Sequence, residues 1–370
     1  MAMSELSHSI VKETYPLSPP FAYALLQLDP RTKETTYSVM ESPLTTKEAD
    51  YLKIFKQEIV AELSKKVSEF HPEEKGGKHV SKEDKMKDFL RNEMRRIQRK
   101  YGEMKLDQNT FEKLHYHVTR DLMGFGLIDS MLKDERIEDI SCLGARIPIY
   151  VWHRDYESIR TNLRFDTEEE LDNFVIKVAQ RAGKHISVAS PLLDAALPDG
   201  SRINCTYSNE VTMRGSTFTI RKFRTDPITV IDQIQYGTID ENLAAYFWYA
   251  LENQKSILIA GGTASGKTSL LNSLAMFIRP SSKIVSIEDT PELNLPHENW
   301  IPAVARQGFG AFNEEGGKRG EVNMYDLLRA AVRQRPDFLF VGEVRGSEAY
   351  VLMQAMATGH SGMATIHGDS

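Results

Sequence analysis

The octapeptide Gly261-Gly262-Thr263-Ala264-Ser265-Gly266-Lys267-Thr268 restricts what this chain can become more than any other stretch. It has the spacing Gly, four residues, Gly-Lys-Thr. It follows a short apolar run, Ser256-Ile257-Leu258-Ile259-Ala260, and leads into Leu270, Leu271, Leu274, Met276 and Phe277 at helical spacing. Strand, glycine loop and helix in that order are the context a phosphate-binding loop requires. Gly261 and Gly266 allow successive N–H groups to point at phosphate oxygens. The helix N-terminus adds partial positive charge. Lys267 can reach the β- and γ-phosphates, and the Thr268 hydroxyl can ligate Mg²⁺, with Ser269 completing the turn. A Gly-rich turn with a chance lysine would lack these flanks.

The length, 370 residues, predicts two to three domains at roughly 150 residues each. A 41% hydrophobic and 26% charged composition fits a globular chain. No run approaches the ~20 apolar residues of a membrane helix, and the N-terminus lacks a basic-then-apolar signal. Cys142 and Cys205 are the two cysteines, which excludes a disulfide scaffold or a Cys-rich zinc site and fits a reducing, cytoplasmic compartment. A net charge of −6 gives no general attraction to nucleic acid.

Residues 1–45 read as a flexible or short β arm, Pro-rich, with a possible hairpin at Ala22–Leu28 and Tyr37–Met40. Residues 46–124 carry three amphipathic patterns and predict a small helical bundle: Leu52, Phe55, Ile59, Leu63, Val67 and Phe70; Met86, Leu90, Met94, Ile97, Tyr101 and Met104; Phe111, Leu114, Val118 and Leu122. The second of these is basic (Lys82, Lys85, Lys87, Arg91, Arg95, Arg96, Arg99, Lys100). It is either a face for nucleic acid or membrane, or a solvated helix, since Glu83, Asp84, Asp88 and Glu93 interleave. Residues 125–225 mix strands with a helix opened by the capping pair Thr167 and Glu170, and predict an α+β domain. A linker is expected at 226–235. From 236 to 370 strands at 283–287, 338–342 and 362–366 alternate with helices, which predicts a parallel sheet. The Gly-rich loop 308–320 suggests a lid or a disordered segment.

Hydrolysis requires more than a phosphate cradle. Glu343 follows the apolar strand Phe338–Gly342, and Glu288 and Asp289 follow Lys283–Ile287, with Glu292 beyond Pro291. Carboxylates at strand ends can coordinate Mg²⁺ or activate water. Solvated surface acids are the alternative. Arg329, Arg333 and Arg345 can neutralise phosphate charge or pair with those acids. His360 and His367 flank the last strand without a third ligand at metal-binding spacing, so His367 reads as a γ-phosphate sensor or a packing residue. His115 and His117, two apart on a helix, do not share a face.

These motifs, in this order, resemble the secretion-motor ATPase superfamily of type II and type IV secretion, type IV pili and the archaellum. The Walker A box is Gly261–Thr268. The aspartate box is Ile287-Glu288-Asp289-Thr290-Pro291-Glu292-Leu293. An atypical Walker B box is Leu339-Phe340-Val341-Gly342-Glu343-Val344-Arg345. The histidine box runs from Thr358 to His367. Leu197–Arg202 and Gly215–Arg221 look like the segments carrying two nucleotide-facing arginines, Arg202 and Arg221. The forms of the aspartate box and of Arg333–Asp337 look archaeal. The resemblance covers about residue 110 onward. It implies a RecA-like ATPase domain at 236–370, a homohexamer, ATP and Mg²⁺ as ligands, and nucleotide held between the N-terminal and RecA-like domains. It also implies a polytopic membrane platform protein as partner and a peripheral position at the inner face of the cell membrane. Such relatives continue past the histidine box, so the chain ending at Ser370 is expected to be incomplete at its C-terminus.

Overall fold

The computed structural model describes the chain except residues 1–8, 67–81, 224–225, 263–264, 307–308, 313–317, 345, 347 and 369–370. The expected helical positions Val67 and Phe70 and much of the 308–320 loop thus lie outside the described residues. The chain divides into two compact units. One holds Met1–Ala195 and Ile203–Lys222, the other Ala196–Arg202 and Phe223–Ser370.

The first unit is built on a nine-stranded sheet. Its strands are β1 (Ile10–Ser18), β2 (Ala22–Leu28), β3 (Thr35–Glu41), β4 (Ile137–Cys142), β5 (Tyr150–His153), β6 (Glu157–Thr161), β7 (Leu192–Ala196), β8 (Arg202–Thr206) and β9 (Thr217–Arg221), in the order β1-β2-β3-β6-β5-β4-β9-β8-β7. The expected hairpin is present as β2 and β3, and residues 9–45 are no free arm. β1–β3 form an antiparallel meander, and β3 joins β6 in parallel. Alternation explains this: Ala22, Ala24 and Leu26 are fully buried while Tyr23 stays exposed. Asp134 ties the meander down by accepting hydrogen bonds from the hydroxyls of Tyr15 and Tyr37, each at 2.7 Å.

The three helices of the bundle are α1 (Thr46–Lys66), α2 (Lys82–Lys100) and α3 (Gln108–Leu122). Phe55, Ile59, Leu90, Met94, Ile97, Leu114 and Val118 share one core. Thr45 and Glu48 cap the start of α1 reciprocally. About half of the basic residues of α2 are ion-paired. Arg91 binds Glu112 through two nitrogens at 2.5 and 2.8 Å, Lys100 reaches Glu58 at 2.9 Å, and Arg96 reaches Glu93 at 2.6 Å. After the short helix α4 (Asp129–Lys133), α5 (Glu168–Arg181) begins at Thr167, whose hydroxyl accepts the Glu170 N–H. The Glu170 carboxylate turns back to the Asp166 N–H. From α5, Lys177 donates to the Asp121 carbonyl and Arg181 to the Leu122 carbonyl, which satisfies the C-terminal end of α3.

Beyond Phe223 the first helix of the second unit is α6 (Val230–Gln235), started by a capping box between Thr229 and Asp232. The stretch expected as linker through 235 is thus helical from Val230, and Val230 is buried with Ile239 and Ala244. Then follow α7 (Glu241–Glu252), β10 (Ile257–Gly261), α8 (Lys267–Ala275), β11 (Ile284–Glu288), β12 (Trp300–Val304), the two-stranded β13 (Phe309–Phe312) and β14 (Lys318–Arg319), α9 (Met324–Val332), β15 (Phe338–Val344), α10 (Glu348–Ala357) and β16 (Ser361–His367). β10, β16, β15, β11 and β12, in that order, form an all-parallel sheet. Strand alternation sorts its faces. Ile284, Phe338, Phe340 and Met363 pack with Leu251 of α7 and Leu271 and Leu274 of α8. Val285, Ile287, Leu339, Val341 and Ala364 pack with Leu328 of α9 and Leu352 of α10. Both faces are covered, as a parallel sheet requires.

Leu114 is fully buried in the bundle core, so Leu114→Ala should destabilise the first unit by about 2–5 kcal/mol. Urea unfolding of the variant beside the wild type reads this. An unmoved midpoint would mean that the three helices do not share a core.

Candidate functional site

The glycine loop is shaped by its own side chains. Gly266 adopts φ 83° and forms the N-cap of α8 without any side-chain hydrogen bond to the helix. The left-handed conformation calls for glycine, and the first-turn N–H groups of α8 are left to an outside acceptor. A Cβ on Gly261 would lie 2.7 Å from the Ser265 hydroxyl oxygen. Ser265 donates to the Gly262 carbonyl at 2.8 Å, and the Lys267 ammonium donates to the same oxygen at 2.5 Å. Lys267 therefore curls over the loop that it serves. Thr268 and Ser269 are half-buried in the first turn of α8. Thr263 and Ala264 lie outside the described residues.

Because the sheet is parallel, its strands end on one edge, and that edge gathers most of the predicted residues. Gly261 at the end of β10 is in register with His367 at the end of β16. On the far side of β16, Val344 pairs with Ile366, which brings Glu343 of β15 alongside. Ile287 pairs with Val341, so Glu288 closes β11 beside Gly342. A Cβ on Gly342 would stand 3.0 Å from Glu288 Cγ. The absence of a side chain at 342 lets the Glu288 chain lie across the neighbouring strand.

Glu288 is 2% exposed. Its Oε1 accepts the N–H groups of Glu292 and Leu293 at 2.8 and 2.9 Å. Burial dominates its titration and pushes the carboxyl up to about 7, against the two N–H groups, while the neighbouring Glu292 charge adds to the rise. A cation beside it would relieve the cost of the charged form. Glu292 itself is exposed, as are Asp289 and His367, and Glu343 is half-buried.

Other expected residues fall elsewhere. Arg333 follows α9 and precedes β15, so chain direction puts it at the opposite edge of the sheet from Glu343. His360 precedes β16 and His367 closes it. A seven-residue strand is roughly 23 Å long, so the two histidines cannot share a ligand. Arg345 lies outside the described residues. Arg202 opens β8 and Arg221 closes β9, neighbouring strands of the nine-stranded sheet. Arg221 stands opposite Asp139 of β4 and opposes the burial that pushes that carboxyl up. The turn ahead of Arg202 is braced by Ser201, whose hydroxyl donates to Asp199 at 2.9 Å and accepts the Phe223 N–H at 3.1 Å.

Among the described residues no group of three or more His, Cys, Asp or Glu side chains forms a metal cage. A Mg²⁺ ion fits this edge nonetheless, since it is commonly held by one or two carboxylates together with substrate phosphates. Here Thr268, Glu288 and Glu343 supply oxygens of that type. Among the described residues no helix is long and apolar enough to cross a membrane.

An uncapped helix N-terminus behind a glycine loop, beside carboxylates at the C-terminal edge of a parallel sheet, makes this a P-loop α/β domain. A family model described as Type II/IV secretion system protein matches residues 124–370. The chain belongs to that family. An uncharacterized protein of Methanocaldococcus jannaschii is 39% identical over 352 residues, covering 91% of this chain, and the chain spans 61% of that relative's length. The type IV secretion system protein PtlH of Bordetella pertussis is 31% identical over 262 residues, covering 63% of this chain and 74% of PtlH. The crystal structure of the Legionella pneumophila ATPase DotB aligns at 20% identity with a TM-score of 0.47, over 66% of each chain.

Glu288→Gln keeps an oxygen for the Glu292 and Leu293 N–H groups but cannot ionise. The wild-type folded value of about 7 lies above the ordinary 4.5, so between the two, folding takes up a proton. Wild-type stability should fall as pH rises through that window and level above it. Thermal midpoints without nucleotide, compared at about pH 5 and about pH 8, should show the variant gaining on the wild type at the higher pH. Parallel curves would rule out a buried, raised Glu288.

Proposed function

We propose that this chain is an ATP-hydrolysing motor subunit that powers an archaeal filament (archaellum or type IV pilus) or a type II/IV secretion machine. The observation that carries the reading is the meeting of the Gly261–Thr268 loop with Glu288, Glu343 and His367 on one sheet edge. Membership of the secretion family and the extent of the M. jannaschii likeness support the machine class and the archaeal setting. On this reading the chain acts as a homohexamer at the inner face of the membrane and works on a polytopic platform protein.

The roles follow from chemistry. The first-turn amides of α8 and the Lys267 ammonium hold the β- and γ-phosphates. Thr268, Glu288 and Glu343 would hold Mg²⁺, which would neutralise developing phosphate charge. Glu343, with Glu288 and Glu292, orients the attacking water and takes its proton. His367 senses the γ-phosphate at the same edge. Arg202 and Arg221 add positive charge to the γ-phosphate during turnover, as arginine fingers do. A nucleic-acid translocase is the rival. It is disfavoured by the ion pairing of Arg91, Arg96 and Lys100 with Glu112, Glu93 and Glu58, which engages part of the basic face of α2.

Two substitutions test the reading by phosphate release and nucleotide binding. Lys267→Ala should lose phosphate anchoring and turnover, and unchanged hydrolysis would sink the site. Arg202→Ala should still bind ATP but lose about 10³-fold or more in turnover. Equal loss of binding and turnover would remove Arg202 from the role of finger. A wild-type protein that binds ATP without releasing phosphate would be a nucleotide-binding scaffold.

A further inference from the structure

The pairing of β15 with β16 slips where the acidic residues approach the glycine loop. Phe338 to Val341 pair one for one with Ser361 to Ala364, and pairing resumes between Val344 and Ile366. Two residues, Gly342 and Glu343, therefore stand against one, Thr365. This is a β-bulge in a parallel ladder, an uncommon place for one. Bulges beside active sites re-aim a side chain.

A bulge takes backbone groups out of the ladder, and a buried carbonyl without a donor is costly. The Gly342 carbonyl has a donor. Thr365 Oγ1 donates to it at 2.5 Å, and Thr365 is 1% exposed. Gly342 is also the residue against which the Glu288 chain lies, since a Cβ there would stand 3.0 Å from Glu288 Cγ. One backbone unit is thus fixed by the Thr365 hydroxyl, touched by Glu288, and followed directly by Glu343. Thr365 in turn pairs with Ile259 of β10, two residues before Gly261.

We propose that Thr365 is a positioning residue: its hydroxyl holds the Gly342 carbonyl of the β15 bulge and so sets the direction of Glu343 relative to Glu288 and the glycine loop. The proposal rests on the ATPase reading above. Thr365 acts through the backbone of Gly342. Without the hydroxyl the bulge can relax toward regular pairing, and a one-residue change in strand register turns a side chain to the other face. Phosphate anchoring by Lys267 and α8 is untouched by such a shift, so the loss falls on turnover and not on nucleotide affinity.

The test compares Thr365→Val, which keeps the shape and removes the hydroxyl, with Thr365→Ser, which keeps the hydroxyl. Both are made in the full chain and checked by thermal midpoint. Steady-state phosphate release gives kcat and KM for ATP separately. The valine variant should lose about 10²-fold in kcat, the scale of a small misplacement of a reacting group, with KM changed less than about twofold. The serine variant should recover most of the rate. A valine variant as fast as wild type overturns the proposal. So does a folded serine variant as slow as Glu343→Gln, and this arm decides even if the valine variant does not fold. A wild-type chain without turnover sinks the ATPase reading and this inference with it. A working wild type beside an equally fast valine variant sinks the inference alone.

Discussion

β16 is hydrogen-bonded on both sides, to β10 through Ile257–Gly261 and to β15 through Phe338–Val344. The chain enters the second unit's sheet through β10 and reaches β16 only after β11, β12 and β15. That late strand separates the glycine-loop strand from the strand carrying Glu343. Parallel pairing then sets the rest. With all strands pointing one way, the loop, His367, Glu343 and Glu288 finish on one edge. The helices can cover both faces because the alternating residues of β11, β15 and β16 divide between two apolar layers.

The same sheet accounts for the unusual state of Glu288. It closes a strand whose five residues are all buried, yet the turn that follows needs an acceptor for the Glu292 and Leu293 N–H groups. One oxygen serves that turn, and the buried carboxyl resists ionisation. A group held in this way is poised between structural and chemical roles, because perturbed carboxyls gather where function demands them. The first unit uses its buried polar groups for anchorage instead. Asp134 receives two tyrosine hydroxyls, and Lys177 and Arg181 close the open carbonyls of α3.

Legibility in the sequence followed the range of the interaction. The bundle helices, the Thr167 cap and the strands expected at 283–287, 338–342 and 362–366 depend on local periodicity and local hydrogen bonds, and they form within a residue or two of those patterns, except that α2 stops at Lys100, short of Tyr101 and Met104. The N-terminal meander was harder to read. Its prolines and short alternations resemble a loose arm until Asp134, nearly a hundred residues beyond Tyr37, provides the anchor. The helix Val230–Gln235 was missed as well. Its apolar contacts, Ile239 and Ala244, lie beyond the segment itself. Arg333 seemed near the acids in sequence, yet the strand that separates them carries Glu343 to the other edge.

The sequence by itself determined the phosphate loop, the acids and histidine of the boxes, and the alternation that builds a covered parallel sheet. Each depends on residue type at short spacing. Only the tertiary structure decided that Gly261 lies beside His367, that Glu288 crosses Gly342, and that two residues of β15 share one partner on β16. Register between strands far apart in the chain is a property of the pair, so no single segment encodes it. Thr365 shows the difference. In the sequence it is one residue inside a box, and in the folded sheet its hydroxyl donates to the Gly342 carbonyl, in the bulge directly before Glu343.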